Sequence, residues 1–427
     1  VAVEQVTEHL FRHESGKLVS VLTGIFGIER LQLVEDVVQE ALVRAFQTWP
    51  YDGVPDNPAA WLMQTARNRA LDAIRREKLF HTKQTEITAT IEQRLSEPAD
   101  AEGPMFDDEI KDGRLRLIFA CCHPVLPPEA QTALALKTLC GFSPGEIAKA
   151  FLTSEAAVAK RLTRARQKLQ EEKIAFEIPA GAELSTRLDG VRQTLYLLFN
   201  EGYKASGGDT LVRVDLCDEA IRLASILAGH PAGDRPRTHA LLALMLLNAA
   251  RHSARTDEAG NMLRLRDQDR SRWDRALIAR GVEHLGRSAT GEEISTYHLE
   301  AGIASCHCMA PSEAATDWPR ILSLYDRLLQ IDGSPIVALN RAVALANVQG
   351  PEAGIEAVEC VARDGHLESY YLLHAVLGEF EARRSRFPEA AAHLRRALEL
   401  TELHFERTFL ENRLAEYESA SPARSLP

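Results

Sequence analysis

The chain is 427 residues long, enough for two or three domains with ample core. A formal net charge of −11 excludes a protein that coats nucleic acid indiscriminately; contact with a polyanion has to come from local basic patches on an acidic body. Aromatic residues make up only 6% while Ala, Leu, Arg and Glu are abundant, which favours an all-α fold. No apolar run is long enough to span a bilayer, and the stretch VAVEQVTEHLFRHESGK lacks a signal-peptide core, so neither a membrane span nor export is expected. Seven cysteines, odd in number and without framework spacing, suit a reducing cytoplasm.

A first block covers residues 1–83. Val34, Val37, Val38, Ala41, Leu42, Ala45, Phe46 and Trp49 recur in steps of three and four, which predicts a helix with a wide apolar face stopping at Pro50. The loop YDGVPDNP follows, rich in turn residues. Asn57 then caps a helix with Pro58 at its first position. That helix buries Leu62, Ala66, Ala70 and Ala73, and a different stripe carries Trp61, Gln64, Asn68 and Arg75. Arg67, Arg69, Arg75, Arg76 and Lys78 make it basic.

Residues 84–109 hold eight acids against one arginine, with two prolines, and read as a flexible acidic linker. The next block, 110–175, contains a helix-turn-helix pattern. Ser143 caps a first helix with Pro144 at its first position and Glu146 completing a capping box. Ile147, Ala148 and Phe151 share a face, and a turn falls around Leu152–Thr153. A second helix opens near Ser154 and buries Val158, Leu162, Ala165 and Leu169. Its outer side carries Ala159, Lys160, Thr163, Arg164 and Gln167, with Arg161 and Arg166 at the edges. Small and basic residues facing outward suit a helix in the major groove, where Arg and Lys reach guanine edges and phosphates. The plainer alternative is an amphipathic helix whose charges are merely solvated.

Residues 176–427 read as helical throughout. Leu377-Gly378, Ala390, Leu394 and Ala397 match the spacing of a tetratricopeptide (TPR) unit of about 34 residues, and the segment from Pro335 is a looser copy. Cys121-Cys122-His123 and Cys306-His307-Cys308 lack metal-ligand spacing and read as buried small residues in helix packing rather than zinc ligands. No phosphate loop, metalloprotease helix or nucleophile elbow occurs, so no catalytic residues, no cofactor and no metal are expected.

Three segments, DVVQEALVRAFQTW (Asp36–Trp49), AWLMQTARNRALDAIRRE (Ala60–Glu77) and the helix-turn-helix (Ser143–Lys168), resemble in order and spacing the sigma-2 and sigma-4 domains of extracytoplasmic-function (ECF) sigma factors of the sigma-70 superfamily. IFACCHPVLPPEAQTALALKTLCGFSPGEIAKAF and VRQTLYLLFNEGY resemble the ECF subgroup with a C-terminal TPR-like extension. The resemblance implies that Asp36, Gln39 and Glu40 meet the clamp helices of the polymerase β′ subunit. It implies that the loop Pro50–Pro58 with Trp61, Gln64 and Asn68 captures a flipped base of the −10 element, while Arg67, Arg75, Arg76 and Lys78 hold strand phosphates. Trp61 is as well read as a core aromatic. It also implies −35 contacts from Ala159, Lys160, Thr163 and Arg164, with Arg161 and Arg166 on phosphate. Ala159 has no hydrogen-bonding side chain, so it can only pack, as against a thymine methyl.

The expected protein is therefore an ECF sigma factor. It would partner core RNA polymerase (β′ clamp helices and β flap) and promoter DNA, with the TPR-like domain binding a peptide or protein partner or its own sigma domains. The expected division is 1–83 sigma-2, 84–109 linker, 110–175 sigma-4 and 176–427 TPR-like. A helix-turn-helix repressor or activator with a TPR-like sensor is the alternative. It explains the helix-turn-helix but leaves Asp36–Trp49 unused.

Overall fold

The computed structural model describes residues 3–80, 112–151, 153–172, 174, 182–205, 211–363 and 367–420. The expected acidic linker, 84–109, and Leu152 of the expected turn lie outside them. Among the described residues there are eighteen α-helices and no named strand; an isolated bridge joins Thr256 and Met262. The fold is all-α, as the composition predicts. The chain forms two units: Val1–Leu198 with His230–Gly233, and Phe199–Gly229 with Asp234–Pro427.

The first unit begins with α1 (Val3–Phe26), α2 (Leu31–Asp52) and α3 (Pro58–Phe80). Leu18, Leu22 and Phe26 of α1 close on Val34, Val38, Ala41 and Leu42 of α2 and on Leu62, Ala66 and Ala70 of α3, all at most 4% exposed. Each such Leu or Phe contributes about 1.5–3 kcal/mol by leaving water. Two details differ from the sequence pattern. Ile74, not Ala73, takes the fourth core position of α3. Phe46 falls outside the core at 42% exposed, because the apolar stripe is wider than the surface its partners cover. The helix also runs through Pro50 to Asp52. Proline so near the end removes one backbone bond, and Gly53, at φ +84°, ends the helix by donating its N–H to Trp49 O at 3.0 Å.

Next come α4 (Gly113–Cys121), α5 (Pro128–Cys140), α6 (Pro144–Ala150) and α7 (Glu155–Glu171). These do not stand apart from α1–α3. A Cβ on Gly16 of α1 would meet Leu139 O at 2.4 Å, and one on Gly113 would meet Ser20 Oγ at 2.8 Å, so only glycine permits the observed approach. The unit also runs past residue 175, to Leu198 within α8 (Ala182–Tyr203). Arg187 of α8 donates to Phe119 O at 3.2 Å, and Gly190 lies against Cys122 and Gln131.

The second unit contains α9 (Val214–Gly229), α10 (Pro236–Ala249), α11 (Arg275–Ser288), α12 (Thr296–Met309), α13 (Trp318–Ile331), α14 (Pro335–Gln349), α15 (Pro351–Ala362), α16 (Tyr371–Arg383), α17 (Phe387–Leu400) and α18 (His404–Ala420). Helix α10 is apolar all round, with Ala240–Leu247 all buried, and so forms the centre for α9, α11 and α12. From α13 on, consecutive helices joined by short turns pack as hairpins. The residues with tetratricopeptide spacing are the ones that pack: Leu377, Ala390, Leu394 and Ala397 are buried, and a Cβ on Gly378 would lie 3.1 Å from Ala390 O. The connection from α10 to α11 carries three short 3-10 turns, including Leu265–Asp267 and Arg270–Arg272.

Candidate polymerase and promoter interface

Helix α2 turns its apolar stripe inward, so Asp36, Gln39 and Glu40 are exposed. Asp36 accepts from Gln32 Nε2 at 3.0 Å, and Glu40 pairs with Arg69 of α3. Gln39 makes no side-chain hydrogen bond among the described residues. Val43 and Phe46 continue the same face, 53% and 42% exposed. The stripe is thus carboxylate and amide at one end and apolar at the other. The apolar half escapes a sequence reading because Phe46 fits the core period equally well; only the width of the buried surface decides it.

The loop between α2 and α3 is held at both ends, by Gly53 and by Asn57, whose side-chain oxygen caps α3 by accepting from Ala60 N at 3.0 Å. Trp61 stands edge-on to the buried Trp49, ring centroids 5.5 Å apart at 63°, and is half-buried. It packs against the core through Trp49 and is partly open to solvent. Gln64 and Asn68, one turn apart, are exposed, and their amides have no partner among the described residues. Arg75 is exposed beside Asp72 at 3.6 Å, Arg76 donates to Asp72 O at 3.2 Å, and Arg67 is half-buried. The side chain of Lys78 lies outside the described residues. Tyr51, 90% exposed at the end of α2, is an aromatic surface the motif reading does not single out.

The helix-turn-helix forms as its local chemistry dictates. Ser143 Oγ accepts from Glu146 N at 3.1 Å and Glu146 Oε2 accepts from Ser143 N at 2.6 Å, a complete capping box. Ser154 caps α7 by accepting from Ala157 N at 3.3 Å. Val158, Leu162, Ala165 and Leu169 are buried; Ala159, Lys160, Thr163 and Arg164 are exposed. Thr163 turns its hydroxyl back onto Ala159 O at 3.0 Å. Lys160 and Arg164, one turn apart, have no carboxylate partner among the described residues. They border a cleft of about 640 Å³ between α7 and the segment Val125–Ala130.

The two edge arginines are engaged. Arg161 pairs with Glu129 at 2.6 Å and lies over the Phe151 ring at 5.7 Å. Arg166 makes a bidentate contact with Glu35 Oε2 of α2, at 3.0 Å from Nε and 2.7 Å from Nη2, and the other carboxylate oxygen accepts from Thr138 of α5 at 2.8 Å. Glu35 is 7% exposed. Arg166 is expected from the sequence on DNA phosphate; here it joins α7 to α2. Nothing in the local sequence marks Glu35 for this part, since a lone acid on an apolar stripe names no partner.

Cys121 and Cys122 are buried, and burial pushes the Cys122 thiol up to about 12. Among the described residues no group of three or more His, Cys, Asp or Glu is placed to hold a metal. None of the helices described is long and apolar enough to cross a membrane.

The first unit thus holds a capped helix-turn-helix with an exposed basic face, and an acidic helix followed by an amide-bearing one. Two family comparisons match these parts: Sigma-70 region 2 over residues 10–80 and Sigma-70, region 4 over 116–169. A family of unknown function, DUF6596, matches 187–289, across α8–α11. An uncharacterized protein of Rhizobium meliloti (strain 1021) is 38% identical over 396 residues, 92% of each chain. No solved structure matches. The chain belongs to the sigma-70 family, as an ECF-type sigma factor with a C-terminal helical extension.

Proposed function

We propose that this protein brings core RNA polymerase to promoters, places α7 on the −35 element and α3 on the −10 element, and helps open the duplex. The observation that supports this most is the pair Lys160 and Arg164, exposed on the outer face of a helix-turn-helix and, among the described residues, without carboxylate partners. In an acidic chain such a pair is what a phosphate or guanine contact requires. The stripe Asp36–Phe46 offers carboxylates to the basic β′ clamp helices and an apolar patch to pack on them. Gln64 and Asn68 carry amides without partners among the described residues, able to hydrogen-bond the pairing edge of an unstacked base, with Trp61 and Tyr51 as stacking surfaces. Arg67, Arg75, Arg76 and Lys78 hold the strand. The C-terminal unit regulates this activity, through a protein partner or through the sigma modules themselves.

The test is transcription in vitro with core polymerase and the full chain on a promoter library. Selective transcripts that vanish when Lys160 and Arg164 are both changed to Ala are expected. Promoter binding without any co-purification with core polymerase would instead make the protein a repressor or activator.

A further inference from the structure

The second unit holds a partly open cavity of about 370 Å³ that the sigma reading does not use. That is the size of a small-molecule site. It lies where α12, α13, α14, α16 and α18 converge under the 3-10 turn Leu265–Asp267, and its walls are largely apolar, with Ile321, Val343, Val376, Phe380 and Phe409 among them.

His307 braces one wall. It is 8% exposed, and its Nδ1 is buried with no hydrogen-bond partner among the described residues. Trp318 fixes the ring edge-on, 5.3 Å between centroids at 77°. Arg270 holds the backbone there, donating to His307 O at 2.7 Å and Ala310 O at 2.9 Å. With essentially no accessible surface, that nitrogen belongs to the packed wall and is closed to anything that enters. The hydroxyl of Tyr325, also on the lining, has no partner among the described residues either.

What sets the cavity apart from a packing defect is charge. The lining holds four arginines, Arg264, Arg266, Arg383 and Arg413, against two glutamates. Glu313 is taken by Arg270 at 2.9 Å. Glu379 is shared by Arg264 at 3.0 Å, Arg266 at 2.5 Å and Arg413 at 3.0 Å. Asp267 and Glu416 answer part of the remainder. Arg383 has none of these: its only partner among the described residues is Ala346 O, at 3.0 Å. The exposed amides of Asn340 and Asn347 sit with it on the lining.

We propose that this cavity binds a small amphipathic monocarboxylic acid, its carboxylate on Arg383 with Asn340 and its apolar body between the aliphatic and aromatic walls. One uncompensated guanidinium matches one negative charge, and a planar carboxylate fits its fork. A phosphate dianion would leave charge unmet beside the apolar walls. The proposal stands apart from the sigma activity and concerns the C-terminal unit by itself.

Isothermal titration of the full chain with 4-phenylbutyrate and octanoate, beside their primary amides and the matching amines, tests it. At least one acid should bind saturably and at least tenfold tighter than its amide, and the amines should not bind. Arg383→Gln, at the exposed rim, should bring the acid to within about twofold of the amide. Acid and amide binding alike, an unchanged acid-to-amide ratio in Arg383→Gln, or no binding by either acid would each overturn the proposal.

Discussion

Lys160 and Arg164 are the residues on which promoter recognition is most directly measured. Arg164→Ala is expected to weaken −35 recognition by about 1–3 kcal/mol where the side chain pairs with guanine. Lys160→Ala should weaken every sequence alike and lower the salt slope of binding by about one unit. Titrations of promoter DNA with polymerase holoenzyme at several salt concentrations separate the two. Asn68→Ala should flatten −10 sequence preference while leaving polymerase binding unchanged; equal loss on every promoter variant would place Asn68 outside base reading. A second expectation concerns acid. Burial, then the charges of Arg251 and Arg270, push the His307 imidazole down to about 3, and burial with Arg255 and Arg251 pushes His252 down to about 4. The unfolded chain therefore binds protons that the folded one does not between these values and about 6.5. Stability of the C-terminal unit should fall as pH drops below about 6.5, by at most about 1.4 kcal/mol per pH unit for each histidine. His307→Phe should flatten that slope in urea melts at stepped pH.

At the scale of elements, the sequence predicted what local chemistry controls. The capping box at Ser143, the Asn57 cap, the buried stripe of α7 and the small-residue packing of Gly378 on Ala390 all follow from spacing alone. What did not follow is which element meets which. Phe46 leaves the core, Ile74 replaces Ala73, and the helices expected to form separate modules share one unit, because these depend on partners distant in sequence. The Glu35–Arg166 contact is the clearest case, joining residues 131 positions apart. Both groups are largely buried, so removing one strands the other. Arg166→Ala is expected to destabilise the first unit by about 3–5 kcal/mol, read as a lower urea midpoint, whereas changing both to apolar residues of similar size should cost much less.

At the scale of the whole molecule, the promoter sets a distance. The −10 and −35 elements lie about 25 base pairs apart, roughly 85 Å at 3.4 Å per base pair. A compact unit of about 200 residues has a radius of gyration near 16 Å. If α3 and α7 read the two elements as proposed, the arrangement that joins α2 to α7 cannot span both at once, and the first unit would have to part before both are engaged. Parting would release Arg166 to meet phosphate, the role the sequence suggests. Glu35→Gln is expected to raise promoter affinity of the free chain, measured by fluorescence anisotropy without polymerase. Deletion experiments should cut after residue 205 rather than 175, because the start of α8 belongs to the first unit. In transcription assays against the full chain, residues 1–205 should differ in activity if the C-terminal unit regulates; identical activity and polymerase binding would remove that role.

The Glu35–Arg166 contact also constrains how such chains diverge. A buried cation without its carboxylate, or the reverse, costs more than either exchanged together. Positions 35 and 166 are thus not free to drift separately. Across an alignment of relatives they should change in step, with Thr138 following the carboxylate it donates to. A lineage that keeps one charge and loses the other should show new polar substitutions around the orphan, recording in its sequence that α2 and α7 no longer meet.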